Sequence, residues 1–184
     1  INMANLVLVG GAGGIGRALA NRAHANGWKV TVMDLEKSLL KHPPSNGIKS
    51  KVIDLTDPYS IVSAFSGFSE ISGFVNLAGY MQGLCSIEKT QSKDFDDVIN
   101  LNLKGAFLVA KEVLPFMREN GGSFVNVVSG LASNVRPGYG AYSISKAGLI
   151  NLTKTLALEE APKIRVNAVG PSAVDTAFLR GGTG

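Results

Sequence analysis

Apolar runs that alternate with amphipathic segments along the whole chain predict an α/β fold built on a doubly wound parallel sheet. A glycine cluster between Gly10 and Gly16 points the same way, because it falls where the first apolar run gives way to the first helical pattern. Of the 184 residues, 45% are hydrophobic and 17% charged, enough for one core and too little chain for two ordinary domains. Residues 1–184 are therefore read as a single domain.

Asn5–Val9 is a buried-strand pattern, and the helix after it begins at about Gly14 with Ile15, Ala18, Leu19 and Ala23 on one face. Trp28–Met33 reads as the second strand and Ile48–Ile53 as the third, with a weak short helix between them. Asp57 and Pro58 supply an N-cap and an N1 proline for the next helix. Phe74–Leu77 is the fourth strand. A long helical stretch then runs from about Ser92 to Glu119, bent near Gly105 and disturbed by Pro115 in its last turns. Ser123–Val128, a helix over Ala141–Glu160 and Ile164–Val169 complete the pattern.

Composition removes several classes of function. Cys85 is the single cysteine, which rules out an intrachain disulfide and a thiolate zinc site. His24 and His42 are the only histidines, so a His-based triad or a multi-His metal centre has almost no material, and no metal is expected. The net charge is only +4, with lysines scattered, which gives no footprint for nucleic acid. No apolar run approaches the roughly 18 residues that span a bilayer. The start also lacks a basic segment ahead of its apolar stretch, so the expectation is a cytoplasmic protein with no membrane partner.

Two constellations carry chemistry. Gly10, Gly13, Gly14, Ile15 and Gly16 sit at the strand-to-helix turn, where glycines permit close backbone approach and the helix N-terminus offers N–H groups to a pyrophosphate. The alternative is a tight connection and no more. Asp34 closes the second strand, where a carboxylate accepts from ribose hydroxyls and repels a 2′-phosphate, or else caps the following helix. Tyr142 and Lys146 share one helix face at i and i+4, and Ser129 ends the fifth strand, so Ser, Tyr and Lys can converge on one carbonyl. Singly, Asn102, Ser129 and Lys146 each read as a bend-stabilising amide, a strand-end cap and a solvated cation.

Those residues, with Asp54-Leu55, Asn76-Leu77-Ala78-Gly79, Asn102-Leu103-Lys104-Gly105 and Arg165 to Pro171, resemble the short-chain dehydrogenase/reductase family over nearly the whole chain. The resemblance implies a Rossmann-like domain that binds NAD and acts on a small carbonyl or alcohol substrate. It implies a catalytic set of Asn102, Ser129, Tyr142 and Lys146, with Tyr142 as acid/base, Lys146 on the nicotinamide ribose, Ser129 on the substrate oxygen and Asn102 holding a water. Lys146 is expected to bring the Tyr142 pKa down. Asp54 and Leu55 would hold adenine, Asn76, Ala78 and Gly79 would pass beneath the cofactor, and Pro171, Val174 and Thr176 would approach the carboxamide. A homo-oligomer, tetramer or dimer, is implied through helices carrying Phe107, Leu108, Leu149, Leu152 and Leu156. Met81, Leu84, Leu131, Val135, Tyr139 and Phe178 are the expected substrate neighbours. Val9, Leu77 and Ser172 depart from the family's usual Thr, Asn and Gly. Family members also continue past Phe178 with substrate-covering helices and a further strand, which this sequence is expected to lack. Two other readings compete: a dinucleotide-binding sensor or scaffold with little catalysis, and a fold-related epimerase or dehydratase.

Overall fold

The computed structural model describes residues 4–180. Its sheet has six parallel strands, β1 (Asn5–Val9), β2 (Lys29–Asp34), β3 (Lys49–Val52), β4 (Gly73–Asn76), β5 (Gly122–Val127) and β6 (Ile164–Val169), in the order β3-β2-β1-β4-β5-β6. Helices make the crossovers: α1 (Gly14–Ala25), α2 (Glu36–Lys41), α3 (Pro58–Phe65), α4 (Ser92–Ile99), α5 (Ala106–Val113) and α6 (Gly140–Glu159). The chain winds outward from β1 to β3 and then returns to β4 on the other side of β1. That reversal opens a crevice between the carboxyl ends of β1 and β4, the place where doubly wound sheets receive ligands.

Alternation along β1 sends its side chains to two cores. Val7 and Val9 pack with Ile61, Phe65, Phe74, Val109, Val113 and Phe124, beneath α3 and α5. Leu6 and Leu8 pack with Val30, Val32, Ala20 and Ala23, beneath α1. The fold class predicted from the sequence is the one observed. On β5 and β6 the alternation continues, but only one face is covered by α6: Ile164 and Val166 are buried while Arg165, Asn167 and Val169 are exposed.

Several local expectations shift. On α1 the buried residues are Gly16, Ala20 and Ala23; Ala18 is exposed and Ile15 is 38% exposed. Close approach sets this rotation, since a Cβ on Gly16 would lie 2.6 Å from the Gly11 Cα, so the first turn of α1 meets the glycine turn through Gly16 while Ala20 and Ala23 pack on β1. The helix from Ser92 is wound wider, π-fashion, over Asn100–Gly105, and ends in a tight turn at Leu114–Phe116 that includes Pro115. Gly105 permits that winding against the loop after β3, because a Cβ there would fall 2.9 Å from the Leu55 carbonyl oxygen. Leu149 and Leu156 lie in the chain's own core, not on an outer face, whereas Phe107 is 49% exposed.

The glycine turn is held to both neighbours of β1. Gly10 donates its N–H to the Met33 carbonyl at 2.8 Å, and its φ of +74° lies in the left-handed region. A Cβ there would sit 2.6 Å from the Ala78 nitrogen. Gly27 also has positive φ, +84°, but nothing within 4 Å of its Cβ position. Gly10→Ala is therefore expected to lose at least ~2 kcal/mol of stability, because backbone must move as well as strain be accepted. Gly27→Ala is expected to lose only ~1 kcal/mol. Urea unfolding of the two variants checks the difference, and equal losses would contradict the close approach of Gly10 to Ala78.

Candidate active site

Lys146 reaches from α6 to the end of β5, where its ammonium donates to the Val127 carbonyl at 2.9 Å. The residue is 3% exposed, and burial lowers its pKa to about 8. Gly79, in the loop after β4, borders it: a Cβ there would stand in ordinary contact, 3.5 Å from Nζ and 4.0 Å from the Asn102 Oδ1. One turn earlier, the Lys146 Nζ lies 5.8 Å from the Tyr142 ring centroid.

Tyr142 is 6% exposed and sits in the first turn of α6. Burial pushes its phenol above the ordinary value of 10, opposed by a side-chain hydrogen bond with Ser129. This differs from the sequence expectation that Lys146 brings the phenol down. The lysine charge is spent on the Val127 carbonyl, and its own protonation is weakened by the same burial. Ser129 leaves β5 in an extended conformation and caps the next turn by accepting from the Leu131 N–H at 3.2 Å. Phe178 lies against Tyr142, with ring centroids 6.1 Å apart.

The π-wound segment turns Asn102 inward until it is 1% exposed. Its Oδ1 accepts from the Tyr80 N–H at 2.8 Å, and its Nδ2 donates to the Tyr80 carbonyl at 2.8 Å and to the Ser145 Oγ at 3.0 Å. Ser145 in turn donates to the Tyr142 carbonyl at 2.7 Å. Asn102 thus ties the loop after β4 to α6, and both its amide protons are used in that tie.

The glycine turn, Asp34 and the loop after β4 form the other half of the crevice. Asp34 Oδ2 accepts from the Ala12 N–H at 3.0 Å and Oδ1 from the Leu35 N–H at 2.8 Å. The N-cap of α2 is Leu35, with no side-chain capping bond, so Asp34 anchors the glycine turn and is not the cap of that helix. A carboxylate has about four acceptor positions, which leaves two for other donors. Asn76, 2% exposed, accepts from the Ala78 N–H at 3.2 Å and donates to Asn126 at 3.4 Å; Asn126 donates to Thr153, and Thr153 to the Leu149 carbonyl. Leu77 packs with the β1–β2 core in place of a polar tie.

Asp54 folds on itself, its Oδ1 accepting from the Thr56 N–H and hydroxyl at 2.8 and 2.7 Å. Beside it, Leu55 and Tyr80 line a cavity of about 360 Å³ with Asn100 and Lys104. The chain after β6 returns to the site: the Pro171 carbonyl accepts from the Gly130 N–H at 3.0 Å, and Thr176 lies so close to Gly14 that a Cβ there would meet its methyl at 2.6 Å. Gly14, Ile15, Val174 and Thr176 share a cleft of about 840 Å³ with Arg17 and His42. Leu84 and Val135, expected near substrate, are 60% and 73% exposed.

Sequence reasoning passed over Ser145, Asn126, Thr153 and Gln82. Asn126 had a readable signal, a polar residue inside an apolar strand pattern. Ser145 stands next to Lys146 within the motif already singled out.

Comparison with known proteins places these features. The family profile described as short chain dehydrogenase matches residues 4–182. The 3-oxoacyl-[acyl-carrier-protein] reductase FabG of Thermotoga maritima is 36% identical over 184 residues, covering 92% of this chain and 74% of that protein. Among solved structures, a 3-ketoacyl-(acyl-carrier-protein) reductase from Brucella melitensis complexed with NADH superposes with a TM-score of 0.87 at 26% identity, over 98% of this chain and 79% of that one. The F189W actinorhodin polyketide ketoreductase with NADPH gives 0.88 at 26% identity, over 97% and 73%.

Proposed function

Because the chain belongs to the short-chain dehydrogenase family, whose members are oxidoreductases that use a nicotinamide dinucleotide, we propose that it interconverts a ketone and a secondary alcohol with NAD(H), and that Tyr142 is its acid/base. The single observation that carries this reading is the convergence of Ser129, Tyr142, Lys146 and Asn102 at the carboxyl end of β5, facing a glycine cradle. The fit to a dinucleotide rests on that cradle: Cβ atoms at Gly10, Gly14 and Gly16 would each come within 2.6 Å of the chain's own atoms, so the turn stays tight and the start of α1 carries no side chain at those positions.

Gly10, Gly13, Gly14, Ile15 and Gly16 would hold the pyrophosphate, Asp34 the adenosine ribose, and Asp54 with Leu55 the adenine. Asn76, Ala78 and Gly79 would floor the site, with Pro171, Val174 and Thr176 closing on the carboxamide. When bound, the dinucleotide supplies or accepts the hydride. The chain's own residues handle the proton and the oxygen.

In ketone reduction, Tyr142 starts in the form that burial favours, the protonated phenol, and gives that proton to the substrate oxygen as negative charge develops there. Ser129 holds the same oxygen by a hydrogen bond. Lys146, with its pKa of about 8, is the group nearest to neutral range and can return a proton toward Tyr142. Asn102 acts on the site by fixing Tyr80 and, through Ser145, the turn that carries Tyr142. In alcohol oxidation the phenol must lose its proton first; a drop of three units costs ~4 kcal/mol, comparable to one ammonium at ~4 Å in an effective dielectric near 20. That help requires Lys146 to leave the Val127 carbonyl for the Tyr142 side of the site.

The same reading extends to a homo-oligomer joined through α5 and α6, where Phe107 and Ile144 are each 49% exposed. A sensor with the same fold and no turnover is the competing reading, and the intact acid/base set favours the enzyme.

Two measurements test the proposal. Tyr142→Phe is expected to bind dinucleotide nearly as the unmodified protein does and to lose turnover on any accepted ketone. More than a tenth of the original rate in that variant would remove Tyr142 as the acid/base. The unmodified protein is expected to favour NADH over NADPH by at least about tenfold in kcat/KM, since Asp34 would place like charges beside a 2′-phosphate. Asp34→Ala should shrink that ratio, and equal efficiency with both cofactors in the unmodified protein would leave Asp34 as an anchor of the glycine turn alone.

A further inference from the structure

Two buried side chains among the described residues hold polar atoms with no hydrogen-bond partner: Gln82, at both Nε2 and Oε1, and Ser143, at Oγ. Both belong to one junction. The loop that follows β4 runs from Gly79, which faces the Lys146 ammonium, to Tyr80, whose backbone Asn102 holds from both sides. It then reaches Cys85, which pairs with Tyr139 and donates its N–H to the Gly138 carbonyl at 3.3 Å. Gln82 is midway along this strap, 4% exposed, and Ser143 follows Tyr142 in the helix that Tyr139 opens.

A carboxamide shut away from solvent with neither its donors nor its acceptor met is unfavourable in the fold by itself, and native chains keep few such groups. The loop that carries it borders the Lys146 and Asn102 side chains through Gly79 and Tyr80, and a ligand bound there is a partner that can meet such an amide. Building on the proposed ketone and alcohol chemistry, we infer that Gln82 is a substrate-recognition residue, which takes a second oxygen of the substrate beyond the one held by Ser129 and Tyr142. The amide is neutral and both gives and accepts hydrogen bonds. The substrate class it fits is therefore a neutral ketone bearing a hydroxyl or a second carbonyl close to the reacting carbon. A carboxylic acid would bring a charge that a carboxamide does not neutralise, and a plain hydrocarbon ketone would leave the amide unmet.

The test uses binding, so that it stands apart from turnover. With oxidised dinucleotide saturating, a ketone binds without reacting, and the dissociation constants of cyclohexanone and α-hydroxycyclohexanone are measured by ligand-observed NMR for the unmodified protein and for Gln82→Met. The hydroxyketone is expected to bind at least about tenfold more tightly to the unmodified protein, and the difference is expected to vanish in Gln82→Met while dinucleotide affinity stays unchanged. Equal affinity for the two ketones in the unmodified protein, or a difference that survives the substitution, overturns the inference. Without ligand, Gln82→Met should melt no lower than the unmodified protein, because a methionine of similar length removes an unmet polar group; a fall of several degrees shows that the amide is paired within the fold and also overturns it. If the binding difference holds but no ketone is turned over with reduced dinucleotide, the catalytic reading fails and the recognition role of Gln82 stands.

Discussion

One ammonium, that of Lys146, sets the terms for the end of the sheet. A cation that is 3% exposed must either find compensation or lose its proton more readily, and this one does both. It takes the carbonyl of Val127, the last residue of β5, and its pKa falls to about 8. The loop after β4 passes the lysine head at Gly79, which has no side chain with which to brace the loop at that point.

Bracing comes instead from two buried polar links. Asn102, Tyr80 and Ser145 join the π-wound segment, the loop and α6. Asn76, Asn126 and Thr153 join the same loop to β5 and to the middle of α6. Each hydrogen bond contributes only ~1 kcal/mol net, but leaving any member unpaired in so dry a place costs more than it contributes when made. The links therefore act on register more than on stability: they fix where α6, and with it Tyr142 and Lys146, stands relative to the crevice.

The strands, their order along the chain and the glycine turn were legible in the sequence because each leaves a local signal, an apolar run or a glycine where backbone must come close. The residues that meet at the end of β5 were legible through the spacing of Tyr142 and Lys146 and the position of Ser129. What was not legible depends on approach in space. The face that α1 buries is chosen by contact of Gly16 with Gly11, which no hydrophobic period encodes. The inward turn of Asn102 depends on a wider winding permitted by Gly105 against Leu55. Asp34 was read as ribose ligand or helix cap, and its bond to the Ala12 N–H required knowing that the glycine turn passes over the end of β2. The fall in the Lys146 pKa likewise follows from a burial that the motif alone does not reveal.

The protonation state of Lys146 can be observed directly. With the lysine side chains labelled at Cε with carbon-13, and the Lys146 signal assigned by its loss in Lys146→Met, the chemical shift is followed as pH rises in protein without dinucleotide. The structure predicts a midpoint near 8, well below the ordinary 10.5 at which solvated lysines titrate. A midpoint at or above 10.5 would mean that the ammonium is solvated or paired with a carboxylate, and that the arrangement described around Val127, Gly79 and Asn102 is not the one the protein adopts.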